Sequence, residues 1–353
     1  MKDIGILSIG GMGGFELGMD RATVDGFVAR MIIEPSKSAR AILRYQFPKT
    51  IIADDYAAAS TYKRSQKQLQ GAIGIICARF GAKDRIYFGD RERVERGPSI
   101  VHVIRDLAAS VRPEWILIEA PADLCTSGRG RGMQAFIALF TGGVPEVPRG
   151  GWRSAGLAPA SDEECYTAAW RVLDLRCFFE SCDTLLQRAL VQERRRTYIV
   201  LARGARGIAE ILLDEADFEG VPESLGTEAG DAGLAARCEI PNAVIPFVWR
   251  AGGFANSPIV ERDTLPPIHG DNVAIATARA MRPSHDDYPQ VRRLMPEEVE
   301  MAFGFPEDYT AAGLVAKGTK MIQKAMGDTP RYDAMKRAVP PAIVAWITSR
   351  IPF

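Results

Sequence analysis

The feature that most constrains this chain is a cluster of glycines close to its beginning. An apolar run at residues 4–7 is followed by four glycines within residues 10–14, and a helical pattern of apolar residues begins directly after them. Because glycine has no Cβ atom, such a turn lets the backbone approach a ligand and lets a helix pack closely on a strand. The order of strand, glycine turn and helix is typical of doubly wound α/β domains that bind an adenosine-containing cofactor, although a tight turn without a ligand is the alternative.

Acidic residues close the second and third predicted strands. The apolar run at residues 27–33 ends in Glu34, where a carboxylate is placed to accept hydrogen bonds from ribose hydroxyls. The shorter run at residues 51–52 is closed by Asp54 and Asp55. These two carboxylates would lie near the adenine of a bound nucleoside or, alternatively, would cap a helix.

Two further apolar runs predict buried parallel strands. Residues 71–80 are nearly all apolar and contain Cys77, and residues 114–121 carry Glu119 at their carboxyl end. The carboxyl ends of parallel strands meet at one edge of a sheet, which is where α/β enzymes bind ligands. Cys77 and Glu119 are therefore candidate functional residues. The alternatives are an inert buried cysteine and a helix-capping or solvated carboxylate.

Weaker patterns predict the rest of the chain. Residues 121–151 contain several glycines and arginines and are predicted to form a loop beside the cleft. Residues 204–288 lose helical periodicity and gain proline and glycine, which is typical of a separate, irregular β-rich domain. Helices are predicted over residues 61–70, 99–110, 296–303, 311–326 and 341–351, and a final pair of strands over residues 170–179 and 194–202.

Composition excludes several classes of protein. Lysine and arginine together number 44, as do aspartate and glutamate, so any nucleic-acid binding must come from a local basic cluster. The six cysteines have no paired short spacing, which predicts neither a metal site nor a disulfide framework. No apolar run reaches the ~20 residues that a membrane span needs. With no signal-peptide pattern at the N-terminus, we expect a cytoplasmic protein without a membrane partner.

In motif order over nearly the whole chain, the sequence resembles the DNA cytosine-C5 methyltransferases. IGGMGGFELG resembles the family's cofactor loop, commonly FSGIGGFELG, and EPSKSARAILRYQFP resembles its second motif, with Glu34 at the ribose-binding position. RPEWILIEAP is similar to the family strand that ends in Glu-Asn-Val, and it keeps Glu119. VQERRRTYIVLAR resembles the Gln-x-Arg-x-Arg motif and supplies Gln192, Arg194 and Arg196.

Two stretches extend the resemblance to the C-terminus. VRRLMPEEVEMAFGFPEDYT is the closest match, to the ninth motif, which scaffolds the target-recognition domain in the family. RYDAMKRAVPPAIVAWITSRI resembles the last motif, whose helix returns to complete the cofactor domain. Lys336 and Arg337 stand there in place of the family's Gly-Asn.

The catalytic loop departs most from the family pattern Gly-Pro-Pro-Cys-Gln-x-Phe. Residues 74–80 read Gly-Ile-Ile-Cys-Ala-Arg-Phe, which keeps a cysteine at Cys77 and loses both prolines and the glutamine. A rival alignment places Ala82 at the nucleophile position and leaves no thiol. By resemblance, Cys77 would add to carbon 6 of a flipped cytosine, Glu119 would be the acid that reads the cytosine edge, and Arg194 and Arg196 would steady the base and the loop.

The resemblance implies an α/β fold in which a doubly wound, Rossmann-like, S-adenosylmethionine-dependent methyltransferase domain is joined to a smaller, irregular β-rich target-recognition domain. Residues 1–203 would form the first domain, completed by residues 327–353, and residues 204–326 would form the second. The implied partner is double-stranded DNA, contacted by Arg129, Arg131 and Arg195, and the chain would act alone or in a homodimer or heterodimer. The implied cofactor-binding residues are Ile9, Gly11, Met12, Gly13, Glu34, Pro35, Asp54, Asp55 and Val339.

Three functional hypotheses follow from the altered catalytic loop. The first is a divergent but active DNA cytosine-C5 methyltransferase. The second is an enzyme of the same fold that acts on a pyrimidine already substituted at carbon 5. Its reacting atom would be exocyclic, and ring activation by a thiol would be unnecessary. The third is a non-catalytic DNA-binding homologue, including one partner of a heterodimer.

Overall fold

A computed structural model describes residues 4–22, 26–54, 73–81, 100–175, 178, 194–204, 207–213, 247–248, 259–260 and 295–353. Its main feature is an eight-stranded mixed sheet. The strands of this sheet are β1 (Ile4–Ile9), β2 (Phe27–Ile33), β3 (Ile51–Ala53), β4 (Ile73–Arg79), β5 (Trp115–Pro121), β6 (Ala155–Ala158), β7 (Tyr166–Asp174) and β8 (Arg195–Arg203).

The strand order creates one natural crevice. Along the sheet the order is β3–β2–β1–β4–β5–β8–β7–β6. The first five strands of that order are parallel, whereas β8, β7 and β6 each run antiparallel to the preceding strand. The order reverses between β1 and β4, and in open α/β sheets ligands bind outside the carboxyl ends of the strands at such a reversal. The predicted strands at residues 27–33, 71–80 and 114–121 are confirmed.

Helices cover both faces of the sheet, as a doubly wound fold requires. One face packs its apolar side chains against α3 and α4, and the other packs against α1 and α8. This arrangement explains why β4 and β5 are almost continuously apolar, since both of their faces are buried. The helices are α1 (Gly14–Arg21), α2 (Lys37–Gln46), α3 (Ile100–Val111), α4 (Arg131–Thr141), α5 (Ala209–Leu213), α6 (Pro296–Ala302), α7 (Asp328–Met335) and α8 (Pro341–Thr348).

The prediction of a loop over residues 121–151 is wrong for much of that stretch. It contains a 3₁₀ helix, Ala122–Cys125, followed by α4. Met133, Phe136 and Phe140 follow the helical repeat and are buried in the core, so their apolar spacing outweighs the glycines around them.

The helix predicted over residues 311–326 is also wrong. This segment forms an antiparallel hairpin of β11 (Ala312–Lys317) and β12 (Lys320–Ala325). A separate short antiparallel pair, β9 (Phe247–Val248) and β10 (Ile259–Val260), comes earlier in the chain. Gly318 adopts the left-handed φ of 64° at the hairpin turn, which interrupts any helix. Gly313 lets β11 approach α2, because a Cβ atom at this glycine would lie only 3.1 Å from the Ala41 side chain.

Residues 295–326 share a core with β2 and α2. Val299, Phe303 and Tyr309 are buried together with Met12 and Ile42. The sequence prediction had placed residues 295–326 in the second domain. Most of residues 204–294 lie outside the described residues, so the two-domain division stays a prediction.

The C-terminal segment closes over the glycine turn. The amide of Val339 donates a hydrogen bond of 3.1 Å to the carbonyl of Gly11, and Gly11 and Ala338 form an isolated parallel bridge. A Cβ atom at Gly14 would overlap the carbonyl oxygen of Val339. The close approach therefore requires glycine at residue 14, at the first position of α1.

Replacing Gly14 with alanine should destabilise the protein, because the new methyl group cannot fit against a backbone carbonyl. We expect Gly14→Ala to lower the free energy of unfolding by on the order of 3 kcal/mol, measured by denaturant titration. Gly143→Ala is the matched control, since no atom lies within 4 Å of its would-be Cβ. Equal stability of the two variants would contradict the packing described for residue 14.

Candidate active site

The turn between β1 and α1 has an unusual backbone. Four consecutive residues adopt left-handed φ angles, a conformation that side chains disfavour and glycine accepts. A Cβ atom at Gly11 would lie 2.7 Å from the Phe15 ring, whereas at Gly10 the nearest atom would be 3.9 Å away. The turn is therefore tightly packed at Gly11 and less crowded at Gly10. The angles are 71° at Gly10, 83° at Gly11, 59° at Met12 and 83° at Gly13.

Glu34 lies beside this turn, directly after β2. Its side chain is buried, and its Oε1 atom accepts a 2.8 Å hydrogen bond from the amide of Ser36. The guanidinium of Arg337 lies 3.8 Å from the same oxygen. Burial raises the pKa of Glu34, and the Ser36 amide and Arg337 oppose that shift. The side chain thus lies where the sequence predicted a ribose-binding carboxylate.

The other predicted cofactor residues surround the same turn, apart from one outside the description. Ile9 and Val339 are buried, and Ile9 pairs with Ile33 of β2. Pro35 and Asp54 are exposed after β2 and β3, on the same edge of the sheet as Glu34. Asp55 lies outside the described residues.

Cys77 lies inside β4 and faces the core. Its neighbours across the sheet are Ser8 and Leu117, and its side chain is buried with Phe15 and Val339. Burial, together with the nearby Glu16 carboxylate, raises the pKa of the Cys77 thiol well above its usual value. A buried, protonated thiol is a poor nucleophile, so this position speaks against the predicted catalytic role.

The segment after β4 offers no substitute thiol. Ala82, the nucleophile position in the rival alignment, lies outside the described residues, and the sequence has no cysteine between Cys77 and Cys125. Cys125 is buried behind β5, and burial raises the pKa of its thiol to about 11. Thiol catalysis therefore has no support from the described part of this edge.

Glu119 is the centre of a buried ion cluster at the end of β5. Its Oε1 atom lies 2.8 Å from an Nη2 atom of Arg194 and 3.2 Å from Nε of Arg79. Arg196 Nε lies 3.5 Å from the same oxygen, and the Tyr198 hydroxyl donates to Oε2 at 3.4 Å. The register of the sheet brings these groups together, because Arg79 and Tyr198 both lie opposite Glu119.

The arginines keep this carboxylate ionised. Burial alone would raise the pKa of Glu119, but the guanidinium groups of Arg194, Arg79 and Arg196 outweigh burial and lower it. An ionised carboxylate accepts hydrogen bonds and cannot donate one. This speaks against the predicted role of Glu119 as an acid toward the cytosine ring, while its position beside Arg194 and Arg196 agrees with the predicted grouping.

Arg79 is a member of this cluster that the sequence analysis did not place among the site residues. Its Nη2 atom donates a 3.0 Å hydrogen bond to the carbonyl of Lys336, and Arg194 donates at 3.1 Å to the carbonyl of Ala338. The ion cluster is thereby linked to the C-terminal segment that closes the glycine turn. Arg79 could have been identified as a site residue from its position at the end of β4, on the same edge of the sheet as Glu119.

The predicted DNA-contacting arginines lie at the same edge of the sheet. Arg129 and Arg131 are exposed just after β5 and its 3₁₀ helix, and Arg129 has a φ of 59°. Arg195 begins the antiparallel strand β8, and its Nε atom lies 3.5 Å from Asp174. Gln192 lies outside the described residues.

Two searches of the described ranges concern metal-ligating groups and membrane-spanning helices. No group of three or more potential metal-ligating side chains occurs there. In the same ranges, no helix is both long and apolar enough to cross a membrane.

A further buried carboxylate, Glu16, lies beneath the glycine turn. Ser8 Oγ donates a hydrogen bond to Oε1 of Glu16, while Oε2 of Glu16 is buried and has no partner among the described residues. Burial raises the pKa of Glu16 to about 7, although the Ser8 hydrogen bond favours the ionised form. The protein thus holds an acid that titrates near neutral pH directly under its candidate cofactor turn.

Glu16 should make stability depend on pH. Its pKa rises from 4.5 in the reference state to about 7 in the fold. The folded state therefore binds the extra proton between those values, and stability falls as the pH rises through that window. We expect Glu16→Gln to abolish this fall and to be more stable than wild type at pH 8 by about 3 kcal/mol, measured by denaturant titration at several pH values. The exposed control Glu163→Gln should keep the wild-type pH profile, and an unchanged profile in Glu16→Gln would refute the assignment.

Comparisons with known proteins identify the fold. No protein-family model matches the amino-acid sequence, and no curated protein matches it. The S. pombe Dnmt2 methyltransferase superposes with a TM-score of 0.54 at 12% identity, over 99% of this chain and 98% of its own. A mutant of Spodoptera frugiperda DNMT2 gives 0.50 at 13% identity, over 97% and 98%. An E. coli prophage-encoded protein described as a DNA modification methyltransferase gives 0.50 at 12% identity, over 98% of both chains.

At these identities the similarity concerns the fold. The predicted doubly wound, Rossmann-like fold is confirmed by the strand order and by these structures together. The resemblance to the DNA cytosine-C5 methyltransferases is confirmed at the same level. The chain has the fold of these methyltransferase structures.

Proposed function

We propose that this chain transfers a methyl group from S-adenosylmethionine to a base of double-stranded DNA. The observation that carries the proposal is the geometry at the reversal of strand order. The left-handed turn after β1 and the buried Glu34 after β2 lie beside the Glu119 cluster at the end of β5. A cofactor position and a base position are thus next to each other on one edge of the sheet.

The residues at the turn fit an adenosine-containing cofactor. No atom crowds Gly10 more closely than ordinary van der Waals contact, and Glu34 offers a buried carboxylate at the position expected for ribose hydroxyls. When bound, S-adenosylmethionine supplies a methyl group activated by a positively charged sulfur. In this proposal the backbone from Ile9 to Gly13 and the side chains of Glu34, Pro35, Asp54, Asp55 and Val339 hold it.

The position of Cys77 favours an acceptor that needs no thiol. Attack by carbon 5 of plain cytosine requires prior addition of a nucleophile to the ring, and the Cys77 thiol is buried in the core. A pyrimidine that already carries a substituent at carbon 5 can present an exocyclic nucleophile instead. We therefore favour transfer to such a substituted base, flipped out of the duplex toward Glu119, Arg194 and Arg196.

The proposed DNA path follows the exposed arginines at this edge. Arg129, Arg131 and Arg195 would contact phosphates, which position a duplex without reading its sequence. Because the chain has no net charge, that attraction would be local and strongly dependent on salt. Association with a second copy or a different chain stays a prediction.

Cofactor binding can be measured by calorimetry with S-adenosylhomocysteine, the demethylated product. We expect Glu34→Ala to weaken binding by about 1–3 kcal/mol, the cost of leaving ribose hydroxyls without their acceptor. Glu163→Ala, at an exposed position, should bind like wild type. No binding to the wild-type protein would defeat the proposed cofactor.

The thiol-free reaction can be tested with labelled S-adenosylmethionine and duplexes that contain cytosine or 5-hydroxymethylcytosine. We expect label in the substituted duplex, and Cys77→Ala should keep its rate within about threefold, because the thiol does not reach the acceptor. Cys165→Ala serves as a control for loss of a cysteine elsewhere.

Intact-mass analysis with 5-fluorocytosine DNA separates the competing mechanisms. A covalent adduct that is lost in Cys77→Ala would restore the thiol mechanism on plain cytosine. Binding of DNA with no transfer to either duplex would favour the non-catalytic hypothesis.

A further inference from the structure

The Glu119 cluster contains more positive than negative charge. Three guanidinium groups lie within 3.5 Å of one carboxylate oxygen, and among the described residues neither Arg79 nor Arg196 forms a salt bridge with a second carboxylate. One carboxylate can neutralise only one of the three. The described cluster therefore keeps a net charge of two positive units beside the candidate base position.

Two of the three arginines extend beyond the buried centre. The Arg194 side chain is 4% exposed, whereas Arg79 is 18% and Arg196 is 32% exposed. Because the Nε atoms of Arg79 and Arg196 approach the same oxygen, their guanidinium groups lie close together. This pair forms the accessible part of the cluster.

Both of these half-buried arginines have a nitrogen donor that is not used within the described cluster. Arg79 uses Nε and Nη2 for Glu119 and the Lys336 carbonyl, and Arg196 uses Nε and Nη1 for Glu119 and the Arg195 carbonyl. Among the described residues, Nη1 of Arg79 and Nη2 of Arg196 have no hydrogen-bond partner. Two adjacent guanidinium groups with spare donors suit a planar or tetrahedral oxyanion.

The electrostatics of the pair favour the same ligand. Burial, followed by the neighbouring Arg194, lowers the pKa of Arg196 to about 10, and Glu119 only partly offsets that effect. Arg79 also lies beside Gly10, since a Cβ atom at Gly10 would lie 4.0 Å from Cβ of Arg79. A sulfonium bound at this turn would add another positive charge, which an anion on the acceptor would offset.

We propose that Arg79 and Arg196 bind an anionic oxygen group of the methyl acceptor, supplied either by the phosphate of its nucleotide or by an acidic substituent on its base. This inference rests on the proposed methyltransferase function and narrows its substrate class. Arg79 and Arg196 are binding residues here, and Glu119 is the positioning residue that holds them together.

The test compares three probes by calorimetry, each with and without S-adenosylhomocysteine. The probes are 2′-deoxycytidine, which is neutral, its 5′-monophosphate, and 5-carboxy-2′-deoxycytidine. We expect at least one anionic probe to bind about tenfold more tightly than the neutral one, as a charge-assisted hydrogen bond predicts. Preference for the monophosphate assigns the anion to the nucleotide, and preference for the carboxylated nucleoside assigns it to the base.

The arginine variants show which side chains carry this preference. Arg79→Gln and Arg196→Gln should each lose the preference for the anionic probe, because the affinity for that probe falls more than the affinity for 2′-deoxycytidine. Arg196→Gln is the safer variant for folding, because it removes the more exposed side chain of the pair. Arg105→Gln, on the exposed face of α3, is the control for loss of a positive charge.

Three results would overturn the proposal. The first is equal binding of anionic and neutral probes, or no binding of either anionic probe at millimolar concentration. The second is a charge preference that survives in both arginine variants. The third is weaker binding of S-adenosylhomocysteine by Arg79→Gln with unchanged binding of 5′-methylthioadenosine, which would assign the anion to the cofactor's own carboxylate. If S-adenosylhomocysteine does not bind the wild-type protein, the proposed methyltransferase function is refuted. The comparison of the three probes in the absence of S-adenosylhomocysteine still decides whether the arginine pair prefers an anion.

Discussion

The buried carboxylate of Glu119 is the interaction on which the candidate site depends. It joins the ends of β4, β5 and β8, because Arg79, Arg194 and Arg196 all approach its Oε1 atom. Removing one partner from a buried ion pair typically costs about 3–5 kcal/mol, because the remaining charge has lost its compensation. In this cluster the loss of the carboxylate would leave three like charges together, so Glu119 stabilises the arginines as much as they stabilise it.

The same cluster links the two halves of the site. Arg79 and Arg194 donate to the carbonyls of Lys336 and Ala338, and the next residue, Val339, donates to the carbonyl of Gly11 in the turn. A short chain of hydrogen bonds thus connects the Glu119 cluster with the turn after β1. The resemblance to the DNA cytosine-C5 methyltransferases implies that Glu119 acts as an acid. Here the lowered pKa of Glu119 makes it an anion that holds the surrounding arginine side chains in place.

Much of the fold could be predicted because its signals are local and redundant. The apolar runs of β2, β4 and β5 are long enough to require burial, and the glycine turn has few alternatives to the strand–turn–helix unit. The failures occurred where local and tertiary signals disagree. Residues 311–326 have helical spacing, yet Gly318 turns the chain and packing on α2 favours a hairpin. In α4, the spacing of Met133, Phe136 and Phe140 was present, but the surrounding glycines obscured it.

The sequence by itself determined which strands reach the edge of the sheet and which acidic residues lie at their ends. Glu34 and Glu119 could be identified because each lies at the end of an apolar run. Only the tertiary structure decided what those groups face. Cys77 lies two residues before the end of β4, where both faces of the strand are buried, so its side chain meets the core, whereas Arg79 at the end of the strand meets Glu119. The pairing of Arg79 with Glu119 likewise depends on the register between β4 and β5, which are separated by 35 residues of chain between Arg79 and Trp115. Charge balance at the site is a property of that register, and no single stretch of sequence contains it.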